Sequence, residues 1–312
     1  MAKDSITIGS LRKSEVEEAA RIVRLAFGTF LGIPDPLSFM DDRNFMTPRF
    51  RSPHVKVIAA REAGRLIGSN VVTRWGSFGY FGPLTVLPEY WERGVAQRLL
   101  QATVTTFDAW RLRHTGLYTF PHSAKHVHLY QKFGYWPRYL TAILARTPGP
   151  GPLPTLMSGL KKDERERAIA ACRRLTHGLD KGLDLSHEIS AALKQRTGDV
   201  VLTFTGRTLD AFAICLTGPG SEGGSKVCYV KFAAARAGAA AEQRFAGLLA
   251  AIDGFAASRA AAIEAGVNLS REGAYRQMRA HCYKVAGQGV AMQRPHAAGF
   301  NHPEAWVIDD WR

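Results

Sequence analysis

The stretch LTVLPEYWERGVAQRLL, residues 84–100, carries the most informative pattern in this 312-residue sequence. An apolar segment ends at Pro88, and a short polar loop with an Arg-Gly step then leads into an amphipathic helix. Backbone N–H groups at the start of a helix have no partner within it, and the helix dipole makes them attractive to anions. We therefore expect a strand, a loop and a helix that together form a binding site for a pyrophosphate group.

Three residues of this loop suit such a ligand. Gly94 has no side chain that would block an approaching phosphate, Ala96 is small, and Arg93 adds a charged donor at the rim. A single glycine between a strand and a helix can equally serve a tight turn. The loop alone is therefore weak evidence.

A second segment, HSAKHVHLYQKFGY at residues 122–135, follows after one further predicted strand. Here Ser123 is placed to cap a helix that carries Tyr130 and ends at Gly134. A tyrosine in this position is by itself more often a packed aromatic ring than a catalytic acid. The two segments in this order and at this separation make the specific signal.

In these two segments the sequence resembles the GNAT superfamily of N-acetyltransferases. The first segment matches the signature V-x-P-x-x-(Q/R)-x-x-G-x-(G/A), with Trp91 at the Gln/Arg position, and the second matches (N)-x-x-x-x-x-x-Y-x-x-x-G-(F/Y), with Ser123 at the Asn position. The matching residues are Val86, Pro88, Gly94, Ala96, Tyr130, Gly134 and Tyr135. The resemblance covers roughly residues 5–146.

This resemblance implies acetyl-CoA as co-substrate, an amine as acceptor and no metal. A strand edge would pair with the pantetheine arm, an amide near Val86 would polarise the thioester carbonyl, and helix-start amides would hold the pyrophosphate. The expected CoA-binding residues are Leu84, Thr85, Val86, Arg93, Gly94, Val95, Ala96, Gln97 and Ser123. The expected catalytic residues are Tyr130, as the acid that protonates the leaving thiolate, and His122, as the base for the amine.

The Pro/Gly-rich segment 147–154 can neither continue a helix nor pair in a sheet, so it divides the chain into domains 1–146 and 155–312. Apolar periodicity predicts the order hairpin, strand, long helix, strand, short helix, strand in both parts. The predicted ranges are 55–60, 66–75, 78–87, 95–111, 117–120, 125–133 and 139–145, then 200–205, 209–216, 227–232, 239–258, 262–267, 271–281 and 289–292. We expect an α/β (α+β) fold of two tandem GNAT-like domains, each a mixed, mostly antiparallel sheet flanked by helices.

The second domain matches the signatures less well than the first. Gly238 and Ala240 fit the G-x-A step, but Ala235 stands at the Gln/Arg position and no proline precedes it. Asn268 and Tyr275 repeat the seven-residue spacing of the later motif. We expect a degenerate copy with a structural role or a part in the acceptor site, and a second CoA site stays open.

Composition narrows the class of protein. The net charge is +14 and the pI about 9.9, but the charge is spread along the chain, so nucleic acid is not the expected partner. The four cysteines lack metal-site or disulfide spacing. Among the histidines at 122, 126 and 128, His122 and His126 could share a helical face, but no Cys, Asp or Glu lies close in sequence to complete a metal site. No apolar run is long enough to span a bilayer, and no signal peptide is visible, so we expect a cytoplasmic protein without membrane contact. Oligomeric state is left open.

These patterns favour an acetyl-CoA-dependent N-acetyltransferase that acts by direct attack of a primary amine of unknown identity. Two other interpretations stay open. One is transfer of a larger acyl or aminoacyl group. The other is a non-catalytic protein, either a CoA sensor or a basic adaptor.

Overall fold

The computed structural model describes residues 6–312. Residues 1–5, on which part of the signal-peptide expectation rests, lie outside the described residues. The strands are β1 (Thr7–Ser10), β2 (Val55–Glu62), β3 (Arg65–Trp75), β4 (Phe78–Val86), β5 (His114–Thr119), β6 (Trp136–Arg146), β7 (Thr155–Leu156), β8 (Gly198–Thr205), β9 (Thr208–Gly218), β10 (Gly224–Ala235), β11 (Ala262–Asn268), β12 (Lys284–Arg294) and β13 (Val307–Ile308). The helices are α1 (Val16–Phe30), α2 (Met46–Phe50), α3 (Val95–Ala109), α4 (Ala124–Gln131), α5 (Lys162–Leu179), α6 (Ser186–Gln195), α7 (Ala241–Ala257) and α8 (Glu272–Ala280).

The order of elements occurs twice along the chain. The first half reads β1-α1-α2-β2-β3-β4-α3-β5-α4-β6, and the second half reads β7-α5-α6-β8-β9-β10-α7-β11-α8-β12. This confirms the repeated order expected from the sequence. Helices α5 and α6 occupy a stretch for which the sequence patterns predicted no element, and they take the places that α1 and α2 hold in the first half.

The two halves share one sheet of order β1-β2-β3-β4-β5-β12-β6-β11-β10-β9-β8-β7. Strand β12, the last of the second half, pairs with β5 of the first half, and β6 in return pairs with β11 of the second. Strands β6 and β12 also pair with each other at the centre. The halves therefore exchange their last strands, and each completes the other's sheet. The division into 1–146, 147–154 and 155–312 remains a prediction, since the sheet is continuous across it.

The Pro/Gly-rich segment at the midpoint is packed against helix α7. A side chain at Gly151 would collide with the carbonyl group of Ala250, and a side chain at Gly254 would collide with that of Pro152. Glycine is needed at both positions because two stretches of backbone approach closely there. The segment thus lies on the body of the protein along this helix.

The hydrophobic cores show the same interlocking. The core of the first half includes Val290 and Met292 from β12, and the core of the second half includes Ala142 and Leu144 from β6. A third cluster joins Trp75 and its neighbours on β3 and β4 to residues of α5, α6 and strands β8 to β10. Burial of this apolar surface makes the two halves depend on each other for stability. None of the helices within residues 6–312 is both long and apolar enough to cross a membrane.

Candidate active site

Strands β4 and β5 lie side by side and then separate. They pair in parallel over residues 78–81 of β4, after which β4 pairs only with β3 while β5 continues beside β12. The N–H group of Leu87 donates to the carbonyl oxygen of Ile67 on β3 at 2.9 Å. Because hydrogen-bond directions alternate along a strand, the main-chain groups of Leu84 and Val86 point away from β3. This β4–β5 gap thus exposes a strand edge that can pair with an extended ligand.

The loop after β4 ends at Gly94, which caps the N-terminus of α3 with φ +74°. No heavy atom lies within 4 Å of the position that a Cβ would occupy there, so the residue faces open space. Its left-handed backbone also favours glycine over any residue with a side chain. The N–H groups of residues 95–97 begin the helix without helical partners. The loop therefore offers an accessible set of anion-binding donors.

Tyr130 is buried near the end of α4. Burial raises the pKa of its hydroxyl to about 12, and a hydrogen bond with Thr119 lowers it by less. The ring centroid lies 5.8 Å from that of Phe81 on β4. The tyrosine hydroxyl is therefore held beside the β4–β5 gap and stays protonated at neutral pH.

A cavity of about 770 Å³ connects the β4–β5 gap, the start of α3 and Tyr130. Nine of the eleven site residues predicted from the sequence line it. They are Leu84, Thr85, Val86, Gly94, Val95, Ala96, Gln97, Ser123 and Tyr130. The two sequence motifs thus meet at one place in the fold.

The other two predicted site residues, Arg93 and His122, do not line the cavity. The Arg93 guanidinium forms an ion pair with Glu62 and stacks 4.8 Å from the ring centroid of Tyr90. The side chain of His122 is exposed to solvent, with its ring 5.7 Å from that of Phe120. The geometry therefore gives no support to a role for either side chain in contact with the ligand.

The structure places a different histidine, His126, on the cavity wall. It lies one helical turn before Tyr130 on α4, so the two side chains share a face of the helix. Its ring lies 5.0 Å from that of Phe30, and its Nδ1 is buried with no hydrogen-bond partner among the described residues. Burial, followed by the charges of Lys125 and His122, lowers its pKa. The four-residue spacing from Tyr130 was visible in the sequence and could have identified it.

Trp91, the departure from the signature loop, also lines the cavity. Its indole Nε1 donates a hydrogen bond of 2.8 Å to the carbonyl oxygen of Val86. That carbonyl belongs to the exposed edge of β4. The indole of Trp91 therefore occupies one hydrogen-bond acceptor of the β4 edge.

Part of the cavity lining is a phenylalanine wall, formed by residues of α1, the α1–α2 connection and the end of β5. Its members are Phe27, Phe30, Phe39, Phe45 and Phe120. The ring centroids of Phe27 and Phe39 are 5.5 Å apart in a stacked arrangement, and those of Phe30 and Phe120 are 5.3 Å apart. Each of these side chains is partly exposed. The wall thus presents aromatic surface to whatever enters the cavity.

A buried ionic cluster supports the floor of the cavity. Arg49 on α2 forms an ion pair with Glu222 at 2.7 Å and donates to the carbonyl oxygen of Gly82 on β4 at 2.7 Å. Lys231 on β10 also pairs with Glu222, at 2.9 Å. Burial alone would raise the pKa of Glu222, but these two cations hold it below its ordinary value. Both cations further donate to the carbonyl oxygen of Arg312, so the cluster joins β4 to the last residues of the chain.

In the second half the corresponding gap is filled by the chain itself. Strands β10 and β11 pair in parallel over residues 227–230 of β10 and then separate, as β4 and β5 do. Strand β13 enters this gap and pairs with Ala233 and Ala234 of β10. The last part of the chain therefore docks as a strand in this gap. Arg271 holds it there through an ion pair of 2.7 Å with Asp309.

In the second half, the loop that corresponds to the phosphate loop is bound by an internal arginine. The guanidinium of Arg244 donates to the carbonyl oxygens of Arg236 and Ala237, both at 3.1 Å. It forms an ion pair with Asp210 as well, at 3.0 Å. An internal strand therefore takes the place that an extended ligand has available in the first half, and Arg244 links the carbonyl groups of the loop to Asp210.

Within residues 6–312, no cluster of three or more His, Cys, Asp or Glu side chains is arranged to hold a metal ion. The four cysteines are free thiols, with only Cys282 exposed.

Comparison with known proteins agrees with this architecture. The model of the acetyltransferase (GNAT) family matches residues 20–135, and no curated protein matches the sequence. A provisionally assigned acetyltransferase from Pyrococcus horikoshii is similar over 100% of this chain and 96% of its own, with TM-score 0.69 and 11% identity. A GCN5-related N-acetyltransferase from Sphaerobacter thermophilus is similar over 94% and 96%, with TM-score 0.61 and 14% identity.

A GCN5-related glucosamine N-acetyltransferase region of a fungal multi-domain GH3 β-N-acetylglucosaminidase is similar over 94% of this chain and 38% of that one, with TM-score 0.64 and 13% identity. At these identities the structural similarity establishes a shared fold. It extends over both halves of the chain.

Proposed function

We propose that this chain, whose residues 20–135 match the model of the acetyltransferase (GNAT) family, transfers the acetyl group of acetyl-CoA to a primary amine by direct attack. The family match supports acyl transfer, and the amine acceptor and the chemical steps are part of the proposal. One observation carries it: a single cavity joins an unpaired strand edge, an open helix N-terminus and a buried protonated tyrosine. These are the three elements that thioester binding and cleavage require.

The residues present fit CoA at two places. The edge of β4 at Leu84 and Val86 can pair with the amide groups of the pantetheine arm. The helix-start amides after Gly94 can hold the pyrophosphate, and Lys125 and Lys132 on the cavity wall add positive charge. Bound there, acetyl-CoA would supply the activated acetyl group. A main-chain N–H of this β4 edge that does not pair with pantetheine can polarise the thioester carbonyl.

Two side chains of α4 each carry out one of the two proton transfers. Tyr130, with its pKa raised to about 12 by burial, is the proton donor to the departing thiolate. His126, whose pKa is lowered by burial, is neutral at pH 7 and can accept the proton that the attacking amine loses. His126 replaces His122 in this role because it is the histidine with a buried, unpartnered nitrogen at the cavity.

We infer that the second half has no CoA site of its own. Strand β13 pairs with the edge that would bind pantetheine. Its contributions to the reaction are structural: β12 completes the sheet beside β5, and Glu222 and Lys231 anchor Arg49 under the cavity.

A non-catalytic protein is the second candidate, and the hydrogen bond from Trp91 to Val86 favours it because it occupies part of the β4 edge that would hold the acyl donor. Turnover separates the two. The protein is incubated with acetyl-CoA and a panel of primary amines, and acetylated amine is measured by mass spectrometry, since the exposed thiol of Cys282 interferes with thiol reagents. Amine-dependent product supports the transferase. Saturable CoA binding without product from any amine contradicts it.

A further inference from the structure

We propose that the acceptor is a hydrophobic monoamine whose apolar group, preferably an aromatic ring, packs against the phenylalanine wall. This inference rests on the proposed acetyl transfer and adds the chemical class of the acceptor. Three features support it. The cavity has an aromatic surface, the nearby carboxylates are bound to other groups outside the cavity, and one end of the β4–β5 gap is closed.

The wall is built as a binding surface for apolar groups. Five phenylalanines from three parts of the chain converge, and each keeps part of its ring exposed. Phe27 stacks on Phe39 at 5.5 Å and meets Phe120 edge-on at 6.4 Å. Aromatic side chains that line a concave site without being fully packed are typical of binding surfaces for apolar ligands.

The carboxylates of the α1–α2 connection are bound to other partners. Asp41 forms an ion pair with Lys226 at 2.8 Å, and Asp42 accepts hydrogen bonds from Ser225. Asp35 caps a turn by accepting the N–H of Leu37. None of these three carboxylates lines the cavity.

The cavity also offers little negative charge of its own. Among the described residues that line it, Glu92 is the only acid, and it pairs with Lys125 at 2.9 Å. A polycationic amine is recognised through paired carboxylates, and the net charge of +14 repels such a ligand at long range. Polyamines and aminoglycosides are therefore poor acceptors for this site.

We assign the aromatic surface to the acceptor rather than to a long acyl chain. The reason is that the β4–β5 gap is closed at the end where β4 and β5 pair with each other. There Phe81 packs against Tyr130 at 5.8 Å and against Tyr135 at 5.4 Å. Phe78 and Tyr80, on the same strand, are fully buried. An acyl group that extends along the gap has no space beyond a short chain.

The test compares kcat/KM of the full-length protein for three amines with acetyl-CoA: 2-phenylethylamine, ethanolamine and spermidine. We expect 2-phenylethylamine to exceed ethanolamine by about tenfold or more, as is usual for apolar groups in a hydrophobic pocket. Spermidine should be the poorest. Hexanoyl-CoA is tested beside acetyl-CoA and should be the weaker donor.

Two variants of one wall residue give a matched comparison. Phe39→Ala should reduce the preference for 2-phenylethylamine over ethanolamine by about tenfold. Phe39→Asp should move the preference towards spermidine. Leu37→Ala, on the same connection, 45% exposed and away from the cavity, should leave the preference as in wild type.

The outcomes separate the two levels of the proposal. Absence of acetyl-CoA binding, or binding without transfer to any amine, contradicts the proposed function and with it this inference. Transfer that favours spermidine or ethanolamine leaves the acetyltransferase in place and overturns the acceptor class. A preference for hexanoyl-CoA that Phe39→Ala abolishes would reassign the wall to the acyl chain.

Discussion

The role of Tyr130 gives the sharpest prediction, because the chain contains a control tyrosine in a similar environment. Tyr130→Phe removes only the hydroxyl that is placed to protonate the leaving thiolate. Its pKa is about 12, five units above neutral pH, so about one molecule in 10⁵ is ionised at pH 7. The lost general acid should lower kcat by about 10²-fold, equivalent to about 2.7 kcal/mol, with little change in acetyl-CoA affinity.

Tyr135→Phe is the matched control. Tyr135 is also buried, its pKa is also raised to about 12 by burial, and its hydroxyl accepts a hydrogen bond of 3.1 Å from Thr115. It does not line the cavity. Its substitution should cost about 1 kcal/mol of folding stability and leave kcat unchanged.

The assay measures steady-state acetylation of an amine from pH 6 to pH 10 for wild type and both variants. A raised pKa preserves the protonated acid throughout this range, so the rate should not fall on the alkaline side. Equal kcat for Tyr130→Phe and wild type would remove Tyr130 from the mechanism. A wild-type alkaline decline near pH 10 that disappears in Tyr130→Phe would contradict the raised pKa.

Three further predictions concern the base, the altered loop and stability. His126→Gln should lower kcat/KM by about 10²-fold, most strongly at neutral pH, whereas His122→Gln should have no effect; the reverse order would restore the sequence-based assignment. Trp91→Phe frees the carbonyl oxygen of Val86 and should tighten CoA binding about two- to tenfold by calorimetry; weaker binding would mean that the indole itself contacts the ligand. Burial alone would raise the pKa of Glu188, but the charge of and hydrogen bond with His54, then the charge of Lys231 and a hydrogen bond from Trp75, lower it to about 2. A lowered folded-state pKa adds stability that is complete above the unfolded value of about 4.3 and is lost as pH falls towards 2, so Glu188→Gln should flatten acid unfolding followed by circular dichroism; an unchanged acid transition would oppose this.

The elements of the first half could be predicted well because their patterns are local. The strand, loop and helix of residues 84–100 are set by an apolar run, a proline and a glycine, and all three occur where expected. The later helix with Tyr130 begins directly after Ser123, as expected, although the side chain of Ser123 forms no capping hydrogen bond, and the turn at Gly134, whose φ is +82°, follows it. Local signals of this type survive in any tertiary context.

The strand exchange could not be predicted from the sequence. Strands β6 and β12 both follow a short helix and have similar apolar patterns, so either could close either half. The choice depends on contacts between residues far apart in sequence, such as Ala142 against the core of the second half. Helix α5 escaped prediction because charged residues dominate its first turns.

The residues of the candidate site could also be predicted only in part. The main-chain donors followed from the motif, whereas the direction of each side chain did not. Arg93 has a charged side chain suited to bind phosphate, but it forms an ion pair with Glu62. His122 lies one residue before the N-cap of α4, and its side chain is exposed. His126 became visible only when α4 was seen packed against Phe30.

The most direct test of the central claim is calorimetric titration of acetyl-CoA into wild type, Gly94→Asp and Gly238→Asp. The two glycines occupy equivalent loops of the two halves and both have positive φ, +74° and +112°. We predict one site per chain, lost in Gly94→Asp through charge and bulk against the pyrophosphate and retained in Gly238→Asp. Retained affinity in a folded Gly94→Asp protein, or loss in Gly238→Asp alone, would contradict the placement of the CoA site in the first half.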